Sequence, residues 1–187
     1  MINKKNITNT HFQTFYVSNE TSNNPIIPLI QKTFKELKEQ KILEKNNAII
    51  SHNYGRRIII NTNNFQNPDI DDFLEIVDYD PVKKVLLAIG SKKPDVETPI
   101  HWIIQHAKND VNVVFQIKGE QIIKKFGKKI PYINIKKSSD SLDVAKEILQ
   151  KLRTSNSNYI MIPDNGIFIT GKTINDAGNQ LTKLYKE

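Results

Sequence analysis

The sequence contains no cysteine. That excludes disulfides, thiolate nucleophiles, cysteine-ligated zinc and iron–sulfur clusters, and leaves four histidines and the carboxylates as the metal-ligating repertoire. No apolar run approaches the ~18 residues that a membrane span needs. The opening residues, MINKK, lead into polar sequence instead of a secretory hydrophobic region, so a cytoplasmic protein with no membrane association is expected. Arginine is scarce: Arg56, Arg57 and Arg153 are the only ones, against abundant isoleucine, lysine and asparagine. The net charge of +7 would suit an anionic partner. Neither an aromatic-interleaved basic stripe, nor zinc-finger spacing, nor an RNA-recognition signature accompanies that charge, so a nucleic-acid partner is not expected.

What is present describes an ordinary folded chain. Its 187 residues, 38% hydrophobic and 25% charged, are enough for one domain burying roughly 70% of its unfolded surface. Residues 1–24 are polar and read as an N-terminal arm, with His11 to Val17 (HFQTFYV) alternating like an edge strand; residues 25–187 read as one domain. Ile27, Ile30, Phe34, Leu37, Ile42 and Leu43 recur at helical spacing, predicting an amphipathic helix over 26–44. Short β-like runs follow at 48–52, 57–62, 74–79 and 85–89. Thr98-Pro99 opens a helix with Ile100, Ile103, Ile104 and Ala107 on its buried side. Residues 111–117 form an apolar strand, 120–126 a short helix, 132–135 a strand, and the SSDS at 138–141 caps a helix over 142–152. Strands at 159–162 and 166–170 flank an Asp164-Asn165-Gly166 hairpin turn, and a helix over 174–185 closes the chain. Antiparallel strands interrupted and flanked by helices imply an α/β fold, either a layered α/β/α sandwich or an α+β arrangement.

Four strings in this order resemble the class II aldolase and adducin head-domain family: KPDVETPIH (93–101), AKNDVNVV (107–114), NGIFITGKT (165–173) and the following helix with Ala177. The resemblance runs from about Ile27 to Tyr185 and implies a three-layer α/β/α sandwich around a mainly antiparallel sheet. It also implies that family enzymes hold a zinc-like ion with three histidines, two as His-x-His at the end of the strand over 111–117 and one before Gly166. Aligned so, this chain carries Phe115, Ile117 and Asn165, none of them a useful zinc ligand by itself. No metal and no other cofactor is therefore expected.

Of the family's phosphate-holding residues, Asn47 and Thr62 remain as matches among Asn46-Asn47-Ala48-Ile49 and Asn61-Thr62-Asn63, while Asp95 stands where a serine would donate. Asn47, Thr62, Asn165 and Gly166 thus form the candidate substrate-binding set. Glu97 occupies the place of the family's acid/base carboxylate, and His101, one helical turn on, could touch it; these two are the candidate catalytic pair. The macrodipole and capping alone justify a carboxylate at a helix start, and that structural reading is the stronger one. A replacement metal site from His52, His101 and His106 is disfavoured because their segments are expected on different parts of the sheet and helix. Arg56-Arg57 at a hairpin tip reads as solvated charge. The GxxxxGKT ending at Thr173 imitates a phosphate loop, yet Ile167 to Thr170 is strand-like. Two functions from different classes follow: a binding or assembly module without zinc, or a metal-independent lyase or isomerase for a small carbonyl or sugar substrate that uses Glu97. Family resemblance further implies a homo-oligomer, tetramers among the options, with room for a small-molecule ligand.

Overall fold

A computed structural model describes residues 12–43, 47–62, 67–126, 129–135, 139–163 and 165–186. One sheet of eight strands organises them: β1 (Gln13–Ser18), β2 (Asn47–Tyr54), β3 (Arg57–Asn61), β4 (Phe73–Asp80), β5 (Val85–Ile89), β6 (Val113–Lys118), β7 (Tyr159–Ile162) and β8 (Gly166–Gly171). Their spatial order is β1-β5-β4-β3-β2-β6-β8-β7, and every neighbouring pair is antiparallel except β1 with β5. The helices are α1 (Ile27–Glu39), α2 (Thr98–Ala107), α3 (Glu120–Phe126), α4 (Ser141–Thr154) and α5 (Ile174–Lys186), with a 3-10 turn at Ile70–Asp72.

Alternation along the strands separates two cores. Ile50, Ile59, Phe115, Ile117, Ile167 and Ile169 face α1, α3 and α5, with Phe34, Ile122 and Leu181 packed among them. On the other face, Val114, Ile160 and Phe168 pack against Ile100 and Ile104 of α2 and Val144 and Ile148 of α4. Ile49, Ile58, Ile60 and Leu74 extend that face toward Trp102. This is the α/β/α layering expected from the sequence.

Helix ends follow local chemistry. Pro28 starts α1, where a missing N–H is harmless. The helix stops at Glu39, short of the expected 44, because Lys41 takes a left-handed φ of 61° and the Ile42 amide donates back to the Leu37 carbonyl. That reversal tucks Ile42 and Leu43 into the core. Asp140 caps α4 by accepting from the Leu142 and Asp143 amides, and Thr173 and Asp176 cap α5 reciprocally. Thr173 is thus a helix cap, and the fully buried strand over Ile167 to Thr170 leaves the phosphate-loop imitation unsupported. The expected strand at 132–135 reduces to a single bridge from Tyr132 to Met161. Expectations involving His11, Glu44, Asn46, Asn63 and Asp164 lie outside the described residues.

Candidate functional site

The N-terminal end of α2 meets the start of β2, the end of β6 and the start of β8. Asp95 prepares the turn: its Oδ1 accepts from the Glu97 amide at 3.0 Å, and its carbonyl accepts from Thr98. Glu97 sits at the N-cap of α2 but its side chain makes no capping bond. It turns instead toward the sheet, where its Oε2 lies 2.5 Å from Lys118 Nζ. Lys118 also reaches Asp95 Oδ1 at 3.7 Å. The Glu97 and Asp95 side chains are only 7% and 11% exposed and that of Lys118 is 25%, so this ion cluster is largely withdrawn from solvent. Burial pushes the Glu97 carboxyl above its ordinary range, with Lys118 opposing that rise. Oε2 is close enough to Lys118 for ion pairing, but it has no well-aligned hydrogen-bond donor. It is an under-satisfied buried acceptor.

Behind the cluster runs a buried polar chain. Gln116 donates from Nε2 to the Asn165 carbonyl at 3.0 Å, which turns its Oε1 toward His101 Nε2 at 3.2 Å. His101 Nδ1 lies 2.8 Å from the Ser51 hydroxyl, and that hydroxyl donates to Gln105 Oε1 at 2.9 Å. Gln105 is fixed in turn by donating to the Asn112 carbonyl at 2.7 Å. Proton counting shows the constraint. A neutral imidazole with its proton on Nε2 serves Gln116, leaving one serine hydrogen for two acceptors, His101 Nδ1 and Gln105 Oε1. An imidazolium would satisfy all three contacts, but burial disfavours the charge and pulls His101 down to about 4. Glu97 and His101 are thus brought to one place, joined through the backbone by the His101 amide donating to the Glu97 carbonyl at 3.3 Å, with the Gln116 side chain beside both.

The remaining candidates divide. Asn47 is the cross-strand partner of Lys118, so its side chain shares the Glu97 face. Asn165 is buried, with its carbonyl engaged by Gln116. Gly166 has a backbone reason: its φ is +90°, and a Cβ there would lie 2.0 Å from the Ile117 carbonyl oxygen. The Thr62 hydroxyl is occupied, donating to the Asp72 carbonyl, and the Asn61 side chain is spent on Ile50 and Ala48 backbone. His52 hydrogen-bonds to the Asn53 carbonyl, while His106 stacks on Trp102 at 3.6 Å and contacts the Arg56 carbonyl. Neither joins His101.

One expectation needs correction. Phe115 and Ile117 do not face Glu97; both side chains point into the core beneath α1 and α5, on the opposite side of the sheet. The polar residues of β6 that share a face with Glu97, His101 and Asn47 are Gln116 and Lys118. The alignment by sequence puts its ligand positions on the face of β6 turned away from Glu97, and on a strand a step of one residue changes the face. It therefore misses Gln116 and Lys118, and with them Ser51 and Gln105. A signal for the first two exists: Gln116 and Lys118 are the polar positions of an otherwise apolar run, VVFQIK, with period two.

No family model matches the sequence, and no curated protein does. Solved structures do match. An L-fuculose-1-phosphate aldolase from Thermus thermophilus superposes with a TM-score of 0.65 at 14% identity, covering 86% of this chain and 90% of that one. A sugar-phosphate aldolase from Thermotoga maritima gives 0.60 at 14% identity, with the same coverages of 86% and 90%. The N-terminal class II aldolase domain of a Thermoplasma acidophilum protein gives 0.56 at 15% identity, covering 91% and 95%. This chain has the class II aldolase fold.

The family resemblance in the sequence implies a divalent metal, and the side chains of β6 that face Glu97 are not a metal-ligating set. On the Glu97 face, β6 offers a carboxamide at Gln116 and an ammonium at Lys118, and Asn165 presents its backbone carbonyl to Gln116. An ammonium has no lone pair for coordination and repels a cation. Among the described residues, no group of three or more histidine, aspartate or glutamate side chains is arranged to hold a metal ion. No helix among those residues is long and apolar enough to cross a membrane.

Proposed function

We propose that this class II aldolase-like protein has lost the zinc site and serves as a non-catalytic binding or assembly module. The observation that carries this reading is the pairing of Lys118 with Glu97: a positive group already occupies the carboxylate that a metal-dependent acid/base residue would keep available. A metal in such enzymes acts as a Lewis acid toward a carbonyl, and Gln116, Lys118 and Asn165 supply no donor set for it. Asn47, Asn165 and the polar atoms around Glu97 remain as contacts for a small polar ligand, and a homo-oligomer, with a tetramer as one form, is the assembly to look for. The test is retro-aldol cleavage of ketose 1-phosphates by the purified wild type, with and without added zinc, alongside its mass in solution by light scattering. No turnover in either condition is expected; zinc-stimulated turnover would overturn the reading.

A second reading rests on Glu97 itself. Its buried, upward-shifted carboxyl beside the Lys118 ammonium suits a proton carrier for metal-independent lyase or isomerase chemistry on a small carbonyl or sugar. It predicts an EDTA-insensitive activity that falls at least roughly tenfold in Glu97→Gln. An activity indifferent to that change would remove it.

A further inference from the structure

We infer that Lys118 is the resident cation of this site, a covalently attached ammonium supplying the positive charge that the buried carboxylates of Asp95 and Glu97 require. The inference deepens, and rests on, the reading that no divalent ion serves here. Three features carry it. Lys118 is the last residue of β6 and faces the α2 side, so strand geometry aims its stem at the α2 entry turn. Its nitrogen is within ion-pairing distance of both carboxylates, at 2.5 Å from Glu97 and 3.7 Å from Asp95. Both carboxylates are largely buried, where an unpaired charge is costly.

The arrangement joins three separate pieces of chain. Asp95 and Glu97 shape the entry to α2, Lys118 ends β6, and Gln116, two residues before it, holds the Asn165 carbonyl at the start of β8. A metal ion bridging ligands from such elements would tie them together; here the ammonium and one carboxamide do so. A lysine with merely incidental surface pairing would behave differently, because an exposed pair contributes little and its loss leaves no stranded charge.

The test is a double-mutant cycle read by thermal unfolding of the full chain at pH 7. Lys118→Met should lower Tm by about 10 °C, the scale for stranding a buried charge in a chain of this size. Adding Glu97→Gln to Lys118→Met should recover at least half of that loss, since the stranded carboxylate is gone. Should Lys118→Met alone yield no folded protein, the double variant must still fold. A Tm drop under about 2 °C, or a double variant no better than the single one, would overturn the inference. Zinc-dependent turnover by the wild type would strike the proposed function; absence of coupling in a protein that remains inactive with zinc would strike this inference alone.

Discussion

The two faces of β6 carry opposite chemistry within six residues. On one side Val113, Phe115 and Ile117 are fully buried in the core under α1 and α5, where any hydrophobic side chain of the right volume would do similar work. On the other, Gln116 and Lys118 hold specific polar partners: His101, the Asn165 carbonyl, Glu97 and Asp95. The first face makes the fold; the second decides what the fold can be used for. Similarity to solved aldolases at 14% identity reports mainly on the first, because a shared architecture does not fix the chemistry of the second.

The hardest break falls where the faces meet. Gly166→Ala forces a Cβ against the Ile117 carbonyl and also strains a left-handed backbone, so a loss of at least about 4 kcal/mol is expected by urea denaturation. On the dry face, Phe115→Ala should cost about 3–5 kcal/mol through cavity formation. Its stability should keep the wild-type dependence on pH, because nothing titratable lies in that cluster's buried set.

On the polar face, pH is the sharper tool. His101 titrates near 6.5 when unfolded and at about 4 when folded, so the unfolded chain binds the extra proton first. Stability from this group is complete above pH 6.5 and is lost as pH falls toward 4, by about 3 kcal/mol. Glu97 has the opposite sign: its raised folded value favours the native state in acid and withdraws that contribution as pH climbs through it. His101→Gln should flatten the acid loss, while Glu97→Gln should steepen it. Urea midpoints between pH 4 and 8 separate the two. The smallest effect belongs at the β2–β3 hairpin tip, where Arg56→Ala should shift stability by less than about 0.5 kcal/mol, in keeping with a solvated charge.

Much of this architecture is legible in residue order. Apolar spacing places α1, the Thr98-Pro99 opening places α2, and Asp140 and Thr173 announce their helices, because each signal is local. Glu97 and His101 are legible as neighbours one helical turn apart. What residue order does not reveal is the partner each chooses. Glu97 pairs with Lys118 and His101 with Ser51 and Gln116, contacts that cross from helix to sheet and depend on strand register. A shift of one position in an alignment is invisible in a string of residues, yet it exchanges Gln116 and Lys118 for Phe115 and Ile117, and so a polar site for a dry core. Thr62 shows the same limit: residue order does not tell that its hydroxyl donates to the Asp72 carbonyl.

The most direct measurement transplants histidines onto each face and titrates zinc by calorimetry. Gln116→His, Lys118→His and Asn165→His together put imidazoles beside Glu97 and should create a stoichiometric zinc site in a folded protein. Phe115→His, Ile117→His and Asn165→His should create none and should unfold, since two imidazoles would be forced into the dry core. Zinc binding by the second set, or a folded first set that ignores zinc, would contradict the assignment of Gln116 and Lys118 to the functional face.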